Sequence, residues 1–176
     1  MSPTWWLPIC ANWPTIYVYS EGHVNGRNGR KGHFNGYREI KNVGFVSTRL
    51  QGNDGVSLET EKWATVLRSM GYNKFYFAGR SDRDPRRTMI VPEAAFDHPA
   101  ITEIQKKCFK VYRRTSEVTG RISAVRRKLK AALYAFVERF SVDLIIAENC
   151  LTIPMNLPLG LALTELIAET GIRTIA

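Results

Sequence analysis

From Val43 onward the chain alternates short apolar runs with longer amphipathic stretches, and the order of the two periods sets out the fold. Val43, Phe45 and Val46 form the compact apolar run of a buried parallel strand. Gly52-Asn53-Asp54-Gly55 follows as a turn of residues able to take positive φ. Ser57 then reads as a helix cap, with Glu59 in the first turn and Trp63, Val66, Leu67 and Met70 spaced as one apolar stripe up to the stop at Gly71.

The same alternation continues downstream. Lys74 to Ala78 reads as a second strand closed by Gly79-Arg80, Ser81 to Arg87 as a charged, proline-broken loop, and Thr88 to Val91 as a short third strand. Helices are expected over Pro99 to Tyr112 and over Glu117 to Phe140, the second with Ile122, Val125, Leu129, Ala132, Leu133, Phe136, Val137 and Phe140 on one face. Val142 to Ala147 reads as a strand buried on both faces that delivers Glu148-Asn149 into a loop. Asn156 caps a final apolar helix ending at Gly171, and Ile172 to Ala176 starts another strand. The pattern β-α-β-β-α-α-β-α-β predicts an α/β fold, a Rossmann-like parallel sheet flanked by helices. No helix follows the last predicted strand, so that strand is expected to be truncated and the domain over 43–176 incomplete.

Residues 1–42 fit neither period. They mix tryptophan and proline with the run HVNGRNGRKGHFNGYR, which predicts a disordered extension or an over-extended gene start. The first twenty residues carry no Lys or Arg and are interrupted by Pro3, Pro8 and Pro14, unlike a signal peptide. Cys10, Cys108 and Cys150 are odd in number and lack C-x-x-C spacing, so neither a disulfide framework nor a zinc site is indicated and a reduced, cytoplasmic setting is expected. His23, His33 and His98 have no metal-ligand spacing.

Charge adds one further feature. The net charge is +9, and ten basic residues lie between Lys106 and Lys130 against the single acid Glu117. Arg126, Arg127, Lys128 and Lys130 are therefore candidate contacts to an anionic membrane surface, with a plain solvated face as the competing reading. Nucleic acid is disfavoured, because only Phe109 and Tyr112 are available there for base stacking.

In a parallel sheet, ligands gather beyond the carboxyl ends of strands, near helix N-termini. Three loops qualify: Thr48 to Val56, Gly79 to Arg87, and Glu148 to Met155. The first lets backbone amides approach a phosphate group, although it is neither G-x-G-x-x-G nor a Walker loop.

The segments FVSTRLQGNDGVSLETEKWATVLRSMGY, FYFAG, VPEAAF and AENCLTIPMNLPLGLALTELIAETGIRTIA resemble the N-terminal domain of two-domain (GT-B) retaining glycosyltransferases of the glycosyl transferase group 1, family 4-like type. The resemblance covers Val43 to Ala176 and is most specific in GNDGVSLE and ENCLTIPMNLPLG. It implies the acceptor-side half of an enzyme that transfers a sugar from a nucleotide sugar to a hydroxyl acceptor without a metal or other cofactor, the donor being held by a further C-terminal domain. By the same resemblance Gly52, Asp54, Gly55 and Val56 would lie against the donor phosphates and the acceptor, and Glu148 and Asn149 would bind the acceptor. The catalytic residues stay unassigned, and this chain alone is expected to be inactive. The rival expectation is a stand-alone basic module for anionic membrane or nucleic acid.

Overall fold

The computed structural model describes residues 39–109 and 113–176. It contains β1 (Asn42–Ser47), α1 (Gly55–Ser69), β2 (Asn73–Ala78), β3 (Thr88–Ile90), α2 (Pro99–Phe109), α3 (Ser116–Phe140), β4 (Leu144–Glu148), α4 (Leu157–Thr170) and β5 (Arg173–Ile175), with single 3₁₀ turns at Pro85–Arg87 and Pro92–Ala94. All five strands are parallel in the order β3-β2-β1-β4-β5. The protein is thus a Rossmann-like α/β domain, as the alternation of periods predicts.

Strand β1 is the axis of the sheet. Its pairing with β2 runs from Asn42↔Asn73 to Val46↔Phe77, and its pairing with β4 from Val43↔Leu144 to Ser47↔Glu148. Side-chain alternation then sends Val43, Phe45, Tyr76 and Ile146 to the face covered by α1, and Val46, Phe77, Ile145 and Ala147 to the face covered by α3 and α4. The second face holds the larger core, in which Leu129, Leu133 and Phe136 of α3 and Leu159, Leu163 and Leu166 of α4 are fully buried. Gly44 permits this packing, since a Cβ there would stand 2.8 Å from Phe136 Cε1 and 2.9 Å from Val142 Cγ1.

Helix α1 departs from its expected start and its expected face. The cap is Asp54, whose carboxylate accepts from the Ser57 amide at 3.0 Å, so Ser57 lies inside the helix and Glu59 beyond its first turn. The residues turned onto the sheet are Ser57, Thr60 and Ala64, flanked by Val56, Trp63 and Leu67, whereas Val66 and Met70 of the expected stripe are exposed. Small side chains at the contact let the helix approach the rings of Phe45 and Tyr76, stacked 5.6 Å apart. Gly71 at φ +89° ends the helix as expected, its amide donating to Arg68 O.

The remaining boundaries shift little. Strand β4 includes Glu148, which therefore closes a strand instead of opening a loop. Asn156 caps α4 and Gly171 terminates it at φ +64°. The expected extension over 1–42 lies mostly outside the described residues, but its last residues belong to the domain. Asn42 begins β1, Ile40 packs against the α1-side core, and the amides of Lys41 and Asn42 both donate to Asp143 Oδ2 at 3.0 Å.

Three glycines separate packing from conformation in a testable way. A Cβ on Gly79 would meet the Ala95 backbone nitrogen at 2.0 Å, so Gly79→Ala should lower stability by about 3 kcal/mol or more. Gly52, at φ +76° but in open space, should lose about 1 kcal/mol on replacement by Ala. Gly55→Ala, with open space and no positive φ, should be neutral or stabilising. Urea unfolding of the three variants checks the ranking.

Candidate functional site

Strand order in the sheet reverses between the parallel neighbours β1 and β4, and the carboxyl ends of those two strands lie side by side there. Ser47 and Glu148 are register partners at that point. The crevice beyond them is bounded by the loop into α1 and the loop into α4, which brings the two sequence motifs together although about a hundred positions separate them.

The first loop is held as an extension of the sheet. Leu50 forms a parallel bridge with Ser81, its amide donating to Arg80 O at 2.8 Å and its carbonyl accepting from the Asp82 amide at 3.2 Å. Gly52 adopts its left-handed conformation and donates its N–H to Asp82 Oδ2 at 2.8 Å. Asp54 is clamped by Arg49 at 2.9 Å, and the Arg49 guanidinium lies 5.3 Å above the Phe96 ring. Burial pushes the Asp54 carboxyl upward, but the Ser57 amide and Arg49 outweigh it and leave its pKa below the usual carboxylate value.

These contacts separate the loop groups that the protein itself engages from those it leaves open. The Gly52 and Ser57 amides are already taken by the protein's own carboxylates. The Gly55 and Val56 amides, at the first two positions of α1, make no hydrogen bond among the described residues and stay open to a ligand acceptor. Gly55 needs no positive φ, contrary to the turn expected over residues 52–55, and Val56 is anchored in the core beneath α1.

Across the crevice, Glu148 is half-buried, and burial followed by the negative charge of Glu59 raises its pKa above the ordinary value. Asn149 takes a left-handed φ of +60°, turning the chain sharply off the sheet. The loop beyond it is pinned by Gln105 of α2, whose amide nitrogen donates to the carbonyls of Pro154 (2.7 Å) and Met155. Asn156 is buried, donates to the carbonyls of Glu93 and Ala94, and accepts from the Leu159 amide. A cavity of about 260 Å³ opens between this loop and α4, lined in part by Cys150, Thr152, Asn156 and Thr164. Cys150 is buried, bonded to Val46 O at 3.4 Å and pushed up to about 12, which makes it an inert thiol.

The basic cluster lies on α3. Arg126 pairs with Glu165, Lys130 with Glu165 and Glu169, and Lys128 with Glu93, so three of the four expected anionic-surface contacts are committed to acids within the protein. Arg127 has no such pair among the described residues. No described helix is long and apolar enough to cross a membrane. Among the described residues no group of three or more His, Cys, Asp or Glu is placed to hold a metal ion.

Asp82, Arg49 and Glu59 border the candidate site although the sequence analysis singled out none of them for it. Asp82 and Arg49 lay in loops marked as candidates only as a whole, and Glu59 lay in the GNDGVSLE segment but was assigned only to the start of the helix. Fold and crevice define the class as a Rossmann-like domain with an open switch-point site. No protein-family model matches the chain, and comparison with curated proteins and with solved structures returns no match.

The two carboxylates should respond oppositely to pH. Asp54, with a lowered folded value, adds stability above the ordinary carboxylate range that is lost as pH falls through its folded value, so Asp54→Asn should flatten the acid side of the stability profile. Glu148, with a raised folded value, opposes folding once ionised. Glu148→Gln should therefore raise the thermal midpoint at neutral pH, with the gain vanishing below about pH 4. Midpoints measured across that pH range decide both.

Proposed function

We propose that this chain is the acceptor-side half of a nucleotide-sugar glycosyltransferase of the two-domain type, its crevice presenting a hydroxyl group for sugar transfer. The observation that carries the reading is the meeting of the two motif segments, QGNDGVSLE and ENCLTIPMNLPLG, at the β1–β4 switch point, with Ser47 and Glu148 in register.

The chemistry of the rim suits that role. Glu148 offers carboxylate oxygens to substrate hydroxyls, which are natural donors to such groups, with Asp54 on the facing loop fixed by Ser57 and Arg49. Glu148, raised in pKa by burial and then by Glu59, is suited to accepting or returning a hydroxyl proton. Asn149 adds a side-chain amide beside it. On the donor side, the open amides of Gly55 and Val56 at the start of α1 are the loop's available contacts to a phosphate oxygen, while Gly52 and Asp54 shape the loop that positions them. Two amides are a modest match for a diphosphate leaving group, so this reading assigns most of its charge to a second, donor-binding domain. The rival reading as a basic docking module is weakened by the ion pairs that occupy Arg126, Lys128 and Lys130.

The test is a transfer assay on the chain supplied with a donor-binding domain of a two-domain glycosyltransferase, offered UDP-, GDP- and ADP-sugars with simple hydroxyl acceptors. Transfer from one donor class is expected, and Glu148→Gln should cut kcat/KM by about tenfold or more. Absence of transfer from every donor overturns the assignment, and full activity of the Glu148→Gln enzyme removes that carboxylate from the chemistry.

A further inference from the structure

A second recess lies on the α1 face of the sheet, where no described helix covers β3. It has a volume of about 710 Å³ and runs between the carboxyl half of α1 and the β2–β3 edge. Its floor is aromatic and its walls are charged.

Tyr76 forms the floor, with burial and then Glu61 pushing its pKa up to about 12, so it stays a neutral hydroxyl. Arg83 stacks 6.0 Å above that ring, donating one terminal nitrogen to Glu61 at 2.7 Å and the other to Ser57 O at 2.8 Å. Its Nε is buried without a hydrogen-bond partner among the described residues; Asp82 Oδ1 stands 3.9 Å away. Lys74 is buried beside it with Nζ 3.9 Å from Glu61 Oε1, too far for a tight pair.

Two further cations complete the wall. Arg68, in the last turn of α1, and Arg87, whose guanidinium lies 5.8 Å from the Phe75 ring centre, have no acid partner among the described residues. Burial chiefly lowers the Lys74 pKa, Glu61 resists this, and repulsion from Arg68, Arg83 and Arg87 adds to it. Glu61 therefore serves both Arg83 and Lys74, Asp82 adds a long pair to Arg83, and Arg68 and Arg87 stand without an acid partner among the described residues. Such an arrangement is under-neutralised from within.

We propose that this groove binds a small phosphorylated polyol, its phosphate placed among Lys74, Arg68 and Arg87 and its hydroxyls toward Asp82 and Asp84. A dianionic phosphate matches two unpaired guanidiniums, whose planar donors suit phosphate oxygens. The recess exceeds what an inorganic ion would fill and lies within the size range of small-molecule sites. The carboxylates at its mouth favour a ligand that brings hydroxyl donors over a bare anion. The site is distinct from the switch-point crevice, but Asp82 touches both by lining the groove and holding the Gly52 amide.

Amide NMR titration of the whole chain with inorganic phosphate, a hexose phosphate and a nucleoside monophosphate tests the proposal. Saturable shifts are expected over residues 71–76 and 82–87, with at least one phosphate ester binding about threefold or more tighter than inorganic phosphate. Combined Arg68→Gln and Arg87→Gln should weaken binding by about tenfold, and Arg127→Gln on α3 should leave it unchanged. In the unaltered protein the Lys74 Nζ pKa should rise on saturation, because a nearby anion favours the ammonium form. Absence of shifts at about 10 mM ester overturns the proposal. So does equal weakening by Arg127→Gln, or a Lys74 titration that ligand does not move.

Discussion

The pairing of β1 with a strand on each side is the constraint from which the rest of the molecule follows. Both of its ladders are complete, so β1 has no free edge, and every residue from Val43 to Ser47 is buried. A strand in that position must be apolar in both directions and must tolerate helices above and below. Val43 and Phe45 meet α1, Val46 meets α3 and α4, and Gly44 yields space to Phe136. Because β1 ends at the point where strand order reverses, the same pairing that builds the core also opens the crevice.

The two faces are finished differently, and the difference locates the two recesses. Helices α3 and α4 form a broad layer joined by Arg126, Lys130, Glu165, Glu169 and Tyr134. Among the described residues the opposite face has α1 alone, because the segment from β2 to β3 contains only a single 3₁₀ turn. Polar groups such as Lys74 and Arg83 can then sit against the sheet where another helix would have required apolar contacts.

Periodicity was legible wherever one residue class dominated a face. The apolar positions from Ile122 to Phe140 are the core face of α3, and the buried runs beginning at Val43 and Val142 became adjacent strands. The same reasoning located α1 and the inward-facing Trp63 and Leu67 but erred at Val66 and Met70, which were assumed to face inward as well. In fact Ser57, Thr60 and Ala64 make the close contact. Helix packing on a sheet rewards small residues at the line of nearest approach, which a hydrophobic spacing cannot reveal. The cap was similarly ambiguous, since Asp54 and Ser57 are both good capping residues and only the Asp54–Ser57 hydrogen bond and the Arg49 clamp distinguish them. The basic run on α3 looked like a uniform positive surface because its acidic partners Glu93, Glu165 and Glu169 lie 35 to 39 positions away. At the crevice, the motifs marked the two loops, but the engagement of Gly52 by Asp82 depends on a long-range contact that neither motif records.

The bridge between Leu50 and Ser81 extends the β1–β2 ladder past the formal ends of both strands. The chain leading to the crevice has therefore already given up most of its backbone freedom. A loop that orders only on contact spends about 1–2 kcal/mol of conformational entropy for each residue it fixes, and that loss is subtracted from affinity. Here the loss was incurred during folding, so a ligand reaching Gly55 and Val56 meets a surface whose shape precedes its arrival.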